Sequence, residues 1–411
     1  MSETIPKLRF PEFHGSWEEY ELGNIAIFTR GPFGGSLKKS IFVDSGYKVY
    51  EQKNAIQNSI KVGKYFITPE KYNQMIRFSV EEGDLLVSCS GTIGKILVIP
   101  VKYPKGIINQ ALLKITVRPE VNNLYLKELL QNSTITKHIF GGRGAAIKNV
   151  VSVKELKKIR IFMPSKQEQD KILIFLSKLD GKIEKLEKKQ ELWKNFKNGI
   201  IQQLFSQKLR FKDENKNAYP NWEEKKLGDL AIFTRGPFGG SLKKSIFVDS
   251  GYKVYEQKNA IQNSLELGNY YITEEKYKEM IRFSVGKGDL LISCSGTIGK
   301  IIIIPDKYPK GIINQALLKV TVHPGVNNLY LKELLQSSEM TQHIFGGRGA
   351  AIKNVVSVKE LKEIHIKFPS YPEQEKIVNF LSAINIKIKQ LNKELKNNKK
   401  FKKGIMQQMF C

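Results

Sequence analysis

Cysteine is scarce in this chain: Cys89, Cys294 and Cys411 are the only three in 411 residues. Three scattered thiols make neither a disulfide framework nor a thiolate zinc site. Cys89 and Cys294 stand in apolar stretches and read as buried structural residues. Histidine is nearly as rare, with five; only His138 and His343 are repeat equivalents, and with no ligand cluster read around them no metal site is expected. No apolar run approaches the ~20 residues needed to span a bilayer. The opening MSETIPKLRF has no signal-peptide core, so the expected location is the cytoplasm, with no membrane partner. The remaining shortage is acid: 40 Asp and Glu stand against 67 Lys and Arg, a net charge of +27. Such an excess repels itself and favours a polyanion, which puts nucleic acid ahead of a merely lysine-rich solvated surface.

Catalytic signatures are missing too. SCSGTIGK offers Gly91, Gly94 and Lys95, but a P-loop needs four residues between the glycines and a Ser or Thr after Lys, where Ile96 stands. GGRGAA, from Gly141, follows a helical stretch rather than a strand and lacks the third glycine of a dinucleotide turn.

What the chain does have is itself, twice. At an offset of 205, Ala26–Ser59 repeats without a difference as Ala231–Ser264. Ser88–Ile96, Tyr103–Lys114 and His138–Leu156 recur as Ser293–Ile301, Tyr308–Lys319 and His343–Leu361, and KLRF occurs at Lys7–Phe10 and Lys208–Phe211. Two long copies indicate two equal domains rather than a solenoid. A recent duplication leaves identical stretches whether or not they bind anything, so identity alone does not locate a site.

Each copy has two textures. In the first, DLLVSC, KILVIP and ALLKITV read as strands between Gly-, Pro- and Asp-containing turns, and NNLYLKELLQ reads as a helix capped by Asn122 or Asn123. After the Pro-marked boundaries FMPSKQEQ and KFPSYPEQE, apolar residues step by four and three. The first series is Ile172, Leu176, Leu179, Ile183, Leu186, Trp193, Ile200 and Leu204, interrupted by Gln190 and Lys197. The second is Ile377, Leu381, Ile384, Ile388, Leu391, Leu395, Ile405 and Met409, interrupted by Asn398 and Lys402. These are heptad seams, and each helix supplies a partner for the other. With a short link, 206–221, between the first helix and the second domain, an antiparallel pairing is expected. The expected architecture is α+β: mixed α/β domains at 1–164 and 206–369, and long helices at 165–205 and 370–411 forming an antiparallel coiled coil with approximate two-fold symmetry. The helices carry +3 and +6 of the charge, leaving +18 on the rest. The mixed domains are therefore the expected polyanion binders.

Within them, Arg30, Lys38 and Lys39 are cations in a glycine-rich frame that a nucleic-acid backbone can approach. Tyr47, Tyr50, Gln52, Lys53 and Asn54 are either a base-reading and stacking group or, for the tyrosines, half-buried strand residues. Thr92 and Lys95 lie in a hairpin that is either a phosphate or base contact or a plain turn. Asn109 and Gln110 have amides suited to adenine, in what is also ordinary turn composition. Arg143 and Lys148 flank a glycine-rich loop. The equivalents 205 residues on are Arg235, Lys243, Lys244, Tyr252, Tyr255, Gln257, Lys258, Asn259, Thr297, Lys300, Asn314, Gln315, Arg348 and Lys353.

The ordered set KLRFPEFHGSWEEYELGNI, GDLLVSCSGTIGK, MPSKQEQDKI and PSYPEQEKI, followed each time by a heptad helix, resembles a DNA-specificity subunit of a type I restriction-modification system over nearly the whole chain. The resemblance implies that each mixed domain is a target-recognition domain reading half of a bipartite site in double-stranded DNA. It implies that the helices space the halves and dock two methyltransferase subunits, which bind S-adenosylmethionine and methylate adenine N6. Restriction and translocase subunits hydrolysing ATP join through the complex. The chain itself is then a non-enzyme holding no cofactor, and the candidates above are its DNA contacts. Members of that family commonly carry two dissimilar domains; here they are nearly the same, which implies an interrupted palindrome. A stand-alone duplicated nucleic-acid-binding regulator and a coiled-coil interaction protein are the alternatives.

Overall fold

The structure, a computed structural model, describes residues 5–33, 35–132, 152–238, 240–345 and 357–410. It divides into two compact units: residues 1–187 with 393–411, and residues 188–392. Both units are built on one plan.

In the first unit the short strands are β1 (Glu18–Glu21), β2 (Ala26–Arg30), β3 (Tyr47–Tyr50), β4 (Phe66–Ile67), β5 (Leu85–Ser88), β6 (Ile96–Val98), β7 (Gly106–Ile108), β8 (Leu112–Val117) and β9 (Arg160–Met163), most of them apolar or alternating runs. They form an antiparallel sheet β2-β8-β5-β6, a mixed sheet β4-β3-β7 and the pair β1-β9. The three apolar runs read as strands in the sequence are β5, β6 and β8. DLLVS is apolar throughout because β5 is covered on both faces. Leu85 and Val87 point into a core with Trp17, Tyr125 and Leu176, while Leu86 points into a second core with Tyr50, Leu97 and Ile108. A third core lies on the far side of β3, around Val49, Ile67 and Ile107. Helix α1 (Gln52–Ile56) follows β3 directly, and α2 (Asn123–Gln131) starts where the Asn122 side chain accepts from the Leu124 and Tyr125 amides.

Helix α3 (Lys166–Phe205) leaves this domain and is 40 residues long, roughly 60 Å at ~1.5 Å per residue. The second unit repeats the strands as β10 (Glu223–Lys226), β11 (Ala231–Arg235), β12 (Tyr252–Tyr255), β13 (Tyr271–Ile272), β14 (Leu290–Ser293), β15 (Ile301–Ile303), β16 (Gly311–Ile313), β17 (Leu317–Val322) and β18 (His365–Phe368), in sheets β11-β17-β14-β15, β13-β12-β16 and β10-β18. Its helices include α4 (Gln257–Gln262), α5 (Asn328–Leu335) and α6 (Tyr371–Met409).

Each unit is one mixed domain, the first half of its own long helix and the last half of the other copy's. In the first unit the two helix segments run antiparallel: Lys402 Nζ meets Asp180 at 2.7 Å and Lys399 Nζ meets Glu187 at 2.6 Å. In the second, Gln190 donates to Asn392, and Glu333 of α5 accepts from both Lys197 (2.9 Å) and Asn385 (3.1 Å). All sixteen expected seam residues are buried or half-buried. Three of the four polar interruptions, Gln190, Lys197 and Lys402, have partners on another helix. The KLRF repeats dock alike: the Leu8 amide donates to Gln408 O at 3.0 Å, and the Leu209 amide to Gln203 O at 3.1 Å. Among the described residues no helix is long and apolar enough to cross a membrane.

Candidate nucleic-acid interface

Strand register decides which loops share a surface. Arg30, the last residue of β2, pairs with Leu113, and Leu112, the first of β8, pairs with Ser88, the last of β5. The segment after β2, the β5–β6 connection and the tripeptide ahead of β8 therefore meet at one end of the four-stranded sheet. Backbone bonds tie them together. The Gly31 amide donates to Leu112 O at 3.0 Å, Cys89 N to Ala111 O at 2.9 Å, and Asn109 N to Tyr50 O at 2.9 Å. The second unit repeats these as Gly236 to Leu317, Cys294 to Ala316 and Asn314 to Tyr255.

The β5–β6 connection is a rigid hairpin end. Ser88 Oγ donates to Thr92 O at 2.7 Å and accepts from the Lys95 amide at 2.9 Å, while Gly94 N donates to Ser88 O. Gly91 and Gly94 sit at φ +59° and +80°, where a side chain would be strained. Thr92 and Lys95 stand exposed at the tip, as do Thr297 and Lys300 in the second unit. Exposed Gln110 and half-buried Asn109 lie alongside, the latter's Oδ1 accepting from Ala111 N at 3.0 Å. Gln315 and Asn314 occupy the same places, with the same bond to Ala316. Half-buried Arg30 lies beside Cys89. Burial pushes that thiol up to about 11 although the guanidinium pulls it down, so it stays protonated at neutral pH and is no nucleophile. Arg235 stands in the same relation to Cys294.

Gln52 and Gln257 face this hairpin. A Cβ placed on Gly91 would lie 3.9 Å from Gln52 Nε2, and the Oε1 atoms of both glutamines are buried without a hydrogen-bond partner in the structure. Lys38, Lys39, Lys243 and Lys244 are exposed on the segment after the first strand of each large sheet. At the head of that segment stand Phe33 and Phe238, which the sequence does not single out, each 88% exposed.

Four expected contacts are corrected. Tyr50 and Tyr255 are 0% exposed, and their hydroxyls donate to Pro104 O (2.7 Å) and Pro309 O (2.6 Å). Because β3 and β12 are covered on both faces, alternation brings neither ring to the surface. Asn54 and Asn259 are also 0% exposed, and all their amide chemistry is used internally. Asn54 Oδ1 accepts from the Glu51 amide at 2.8 Å, and Nδ2 donates to Ser59 O at 2.9 Å and Val62 O at 2.8 Å. Asn259 does the same with Glu256, Ser264 and Leu267. They staple a loop rather than read a base. Replacing Asn54 by alanine leaves three half-buried backbone partners without this side chain and is expected to destabilise the first unit by about 2 kcal/mol in urea unfolding.

Tyr47 and Tyr252 are half-buried, stacked on Tyr72 and Tyr277 with ring centroids 3.9 and 4.0 Å apart. Lys53 and Lys258 are half-buried in pairs with Glu51 and Glu256 at 2.8 and 2.7 Å. Arg143, Lys148, Arg348 and Lys353 lie outside the described residues. Among the described residues, no group of three His, Cys, Asp or Glu could hold a metal. The sheet end gathers cations, amides and a hydroxyl around rigid backbone, which suits binding of phosphates and base edges.

Comparison with known proteins gives the same direction. The family model for the type I restriction modification DNA specificity domain matches residues 15–194 and again 219–398. The MjaX and MjaVIII type I restriction enzyme specificity subunits of Methanocaldococcus jannaschii are 26% and 24% identical, over 98% and 97% of this chain and 95% and 94% of theirs. Among solved structures, the S subunit of a type I restriction-modification system from M. genitalium shares the fold, at a TM-score of 0.51 and 17% identity over 99% of both chains. A chain from a study of type I restriction-modification complex assembly aligns at 0.61 and 15% identity, over 95% of this chain and 96% of that one. The chain therefore belongs to the family of type I restriction-modification DNA specificity subunits, which read DNA sequence for their complex and are not themselves enzymes.

Proposed function

We propose that the sheet end of each unit reads one half of a two-part duplex DNA target, and that the two halves are the same short sequence in inverted orientation. The observation that carries this reading is the repetition, in both units, of one constellation: Arg30, Gln52, Thr92, Lys95, Asn109 and Gln110, then Arg235, Gln257, Thr297, Lys300, Asn314 and Gln315. Equivalent side chains on equivalent backbone select equivalent bases. Within each unit the helix segments run antiparallel, and each domain is completed by the other copy's helix, which supports an inverted rather than a direct repeat. Joining two modest half-site affinities in one chain raises the total through effective concentration.

The long helices dock two methyltransferase subunits, and those partners, not this chain, bind S-adenosylmethionine and transfer a methyl group to adenine N6. Restriction and translocase subunits using ATP join the same complex. The setting is the cytoplasm, where the target DNA is. Leu192, Phe196, Ile386 and Phe401 lie exposed on the helices and support a docking role.

The experiment is duplex DNA binding by the full chain across a salt series. With several Lys and Arg on phosphates, affinity is expected to fall roughly 10³-fold or more between 50 and 200 mM salt. Purification from the native host is expected to bring two methyltransferase copies per chain. Affinity flat in salt, or a chain that purifies alone, contradicts the proposal.

A further inference from the structure

Phe33 and Phe238 are the most exposed large hydrophobic residues described in the chain. An aromatic ring stands at 88% exposure in the same place in both units. The backbone beneath it is fixed. The Gly31 amide continues the ladder to Leu112 O, and a Cβ on Gly31 would come within 1.9 Å of Asn109 O, so only glycine fits. Pro32 is buried, and the Ser36 amide donates to Phe33 O at 3.0 Å. Gly236, Pro237 and Ser241 hold Phe238 identically, with 1.8 Å from the same virtual Cβ to Asn314 O. A glycine–proline stalk thus presents a bare aromatic ring, with Arg30 three residues before it in the chain and exposed Lys38 and Lys39 five and six residues after it. Cations around a protruding apolar side chain complement a polyanion with an apolar interior, which describes stacked base pairs inside a phosphate frame.

We propose that Phe33 and Phe238 are wedges that insert between adjacent base pairs, one in each half-site, and partly open the stack there. This rests on the DNA-reading function above. Opening is cheapest at pyrimidine–purine steps, so the wedge adds a preference for TA or CA/TG at a fixed place in each half-site without any hydrogen bond to a base.

The test uses the full chain and duplexes carrying the site it selects, with 2-aminopurine placed at successive steps. The wild type is expected to brighten the probe at one step per half-site. F33A is expected to abolish one signal and F238A the other, each with a roughly tenfold loss of affinity, the scale of an aromatic–base stack. F33L is expected to retain more of both than F33S. Thermal stability of all four is expected to be unchanged, because the ring packs against almost nothing. Unaltered affinity and probe brightness in the F33A/F238A double variant would overturn the wedge while leaving DNA reading intact. Unaltered DNA binding with loss of methyltransferase association overturns it in favour of a protein contact. A wild-type chain that binds no duplex removes the DNA-reading function, and the wedge with it.

Discussion

Replacing Arg210 by alanine is expected to destabilise the second unit by about 3–5 kcal/mol. Arg210 donates from Nε and Nη2 to Glu373 at 3.1 and 2.8 Å and from Nη2 to Pro220 O at 2.7 Å. Trp222 Nε1 donates to the same carboxylate at 2.9 Å. The Glu373 side chain is wholly buried, and the bond to it holds the guanidinium pKa above its usual value. Removing Arg210 strands a buried carboxylate with one indole donor, and such a loss costs more than the intact pair contributes. The clamp joins the first turn of α6 to the KLRF segment and to the strand after Trp222, so its failure loosens three chain segments together. At 2–4 °C per kcal/mol for a unit of this size, the midpoint falls by about 10 °C. Arg9, Trp17 and Glu168 form the same clamp in the first unit, with Arg9 bonds of 2.8 and 2.7 Å. The Glu373→Gln variant keeps one acceptor oxygen, where Arg210 Nη2 and Trp222 Nε1 both donate, but turns an amide NH2 toward Arg210 Nε, and is also expected to destabilise the unit. A change below about 1 kcal/mol for Arg210→Ala in denaturant unfolding, followed by tryptophan fluorescence, contradicts this account.

The second large effect is on binding. Arg30→Ala and Arg235→Ala are each expected to weaken specific duplex binding by about 1–3 kcal/mol, the worth of a well-placed guanidinium on a base edge. The double variant then loses roughly 30-fold to 10⁴-fold. The two single variants are expected to be nearly equal, because the residues occupy the same place in the two repeats. Arg30→Lys keeps the charge but not the fork, so it is expected to retain non-specific binding and lose discrimination. Fluorescence anisotropy on specific and scrambled duplexes measures both quantities, and unequal single variants contradict the equivalence of the two surfaces.

The parts of this molecule written as periodicity were legible in its sequence. The step of three and four from Ile172 to Leu204 and from Ile377 to Met409 needs only a helix with one covered face, and those side chains are covered. β5, β6 and β8 were visible as apolar runs between turns. The convergence of Arg30, Lys95 and Asn109 is not visible, since it depends on the register of β2, β8 and β5, although the chemistry of each residue is plain in the sequence. The burial of Tyr50 and Asn54 is not legible, for a definite reason. In YKVYEQKN the sequence shows polar and aromatic side chains but not that β3 is covered on both faces. Even Lys48 is buried there, its Nζ 5.6 Å from the Phe66 ring and 3.3 Å from Gly63 O, and desolvation lowers its pKa. The clamp went unseen because Arg9 and Glu168 are 159 residues apart. Its only trace was the recurrence of Arg, Trp and Glu as Arg210, Trp222 and Glu373. The division of each long helix between two compact units has no mark in the sequence at all.

The central claim is that one reading surface occurs twice and faces one sequence twice. Selection of bound molecules from random duplex DNA by the full chain, followed by sequencing, tests it most directly. The account predicts a single enriched class: one short sequence and its inverted copy, separated by a spacer of constant length and no preferred composition. Two half-sites of unrelated sequence contradict it.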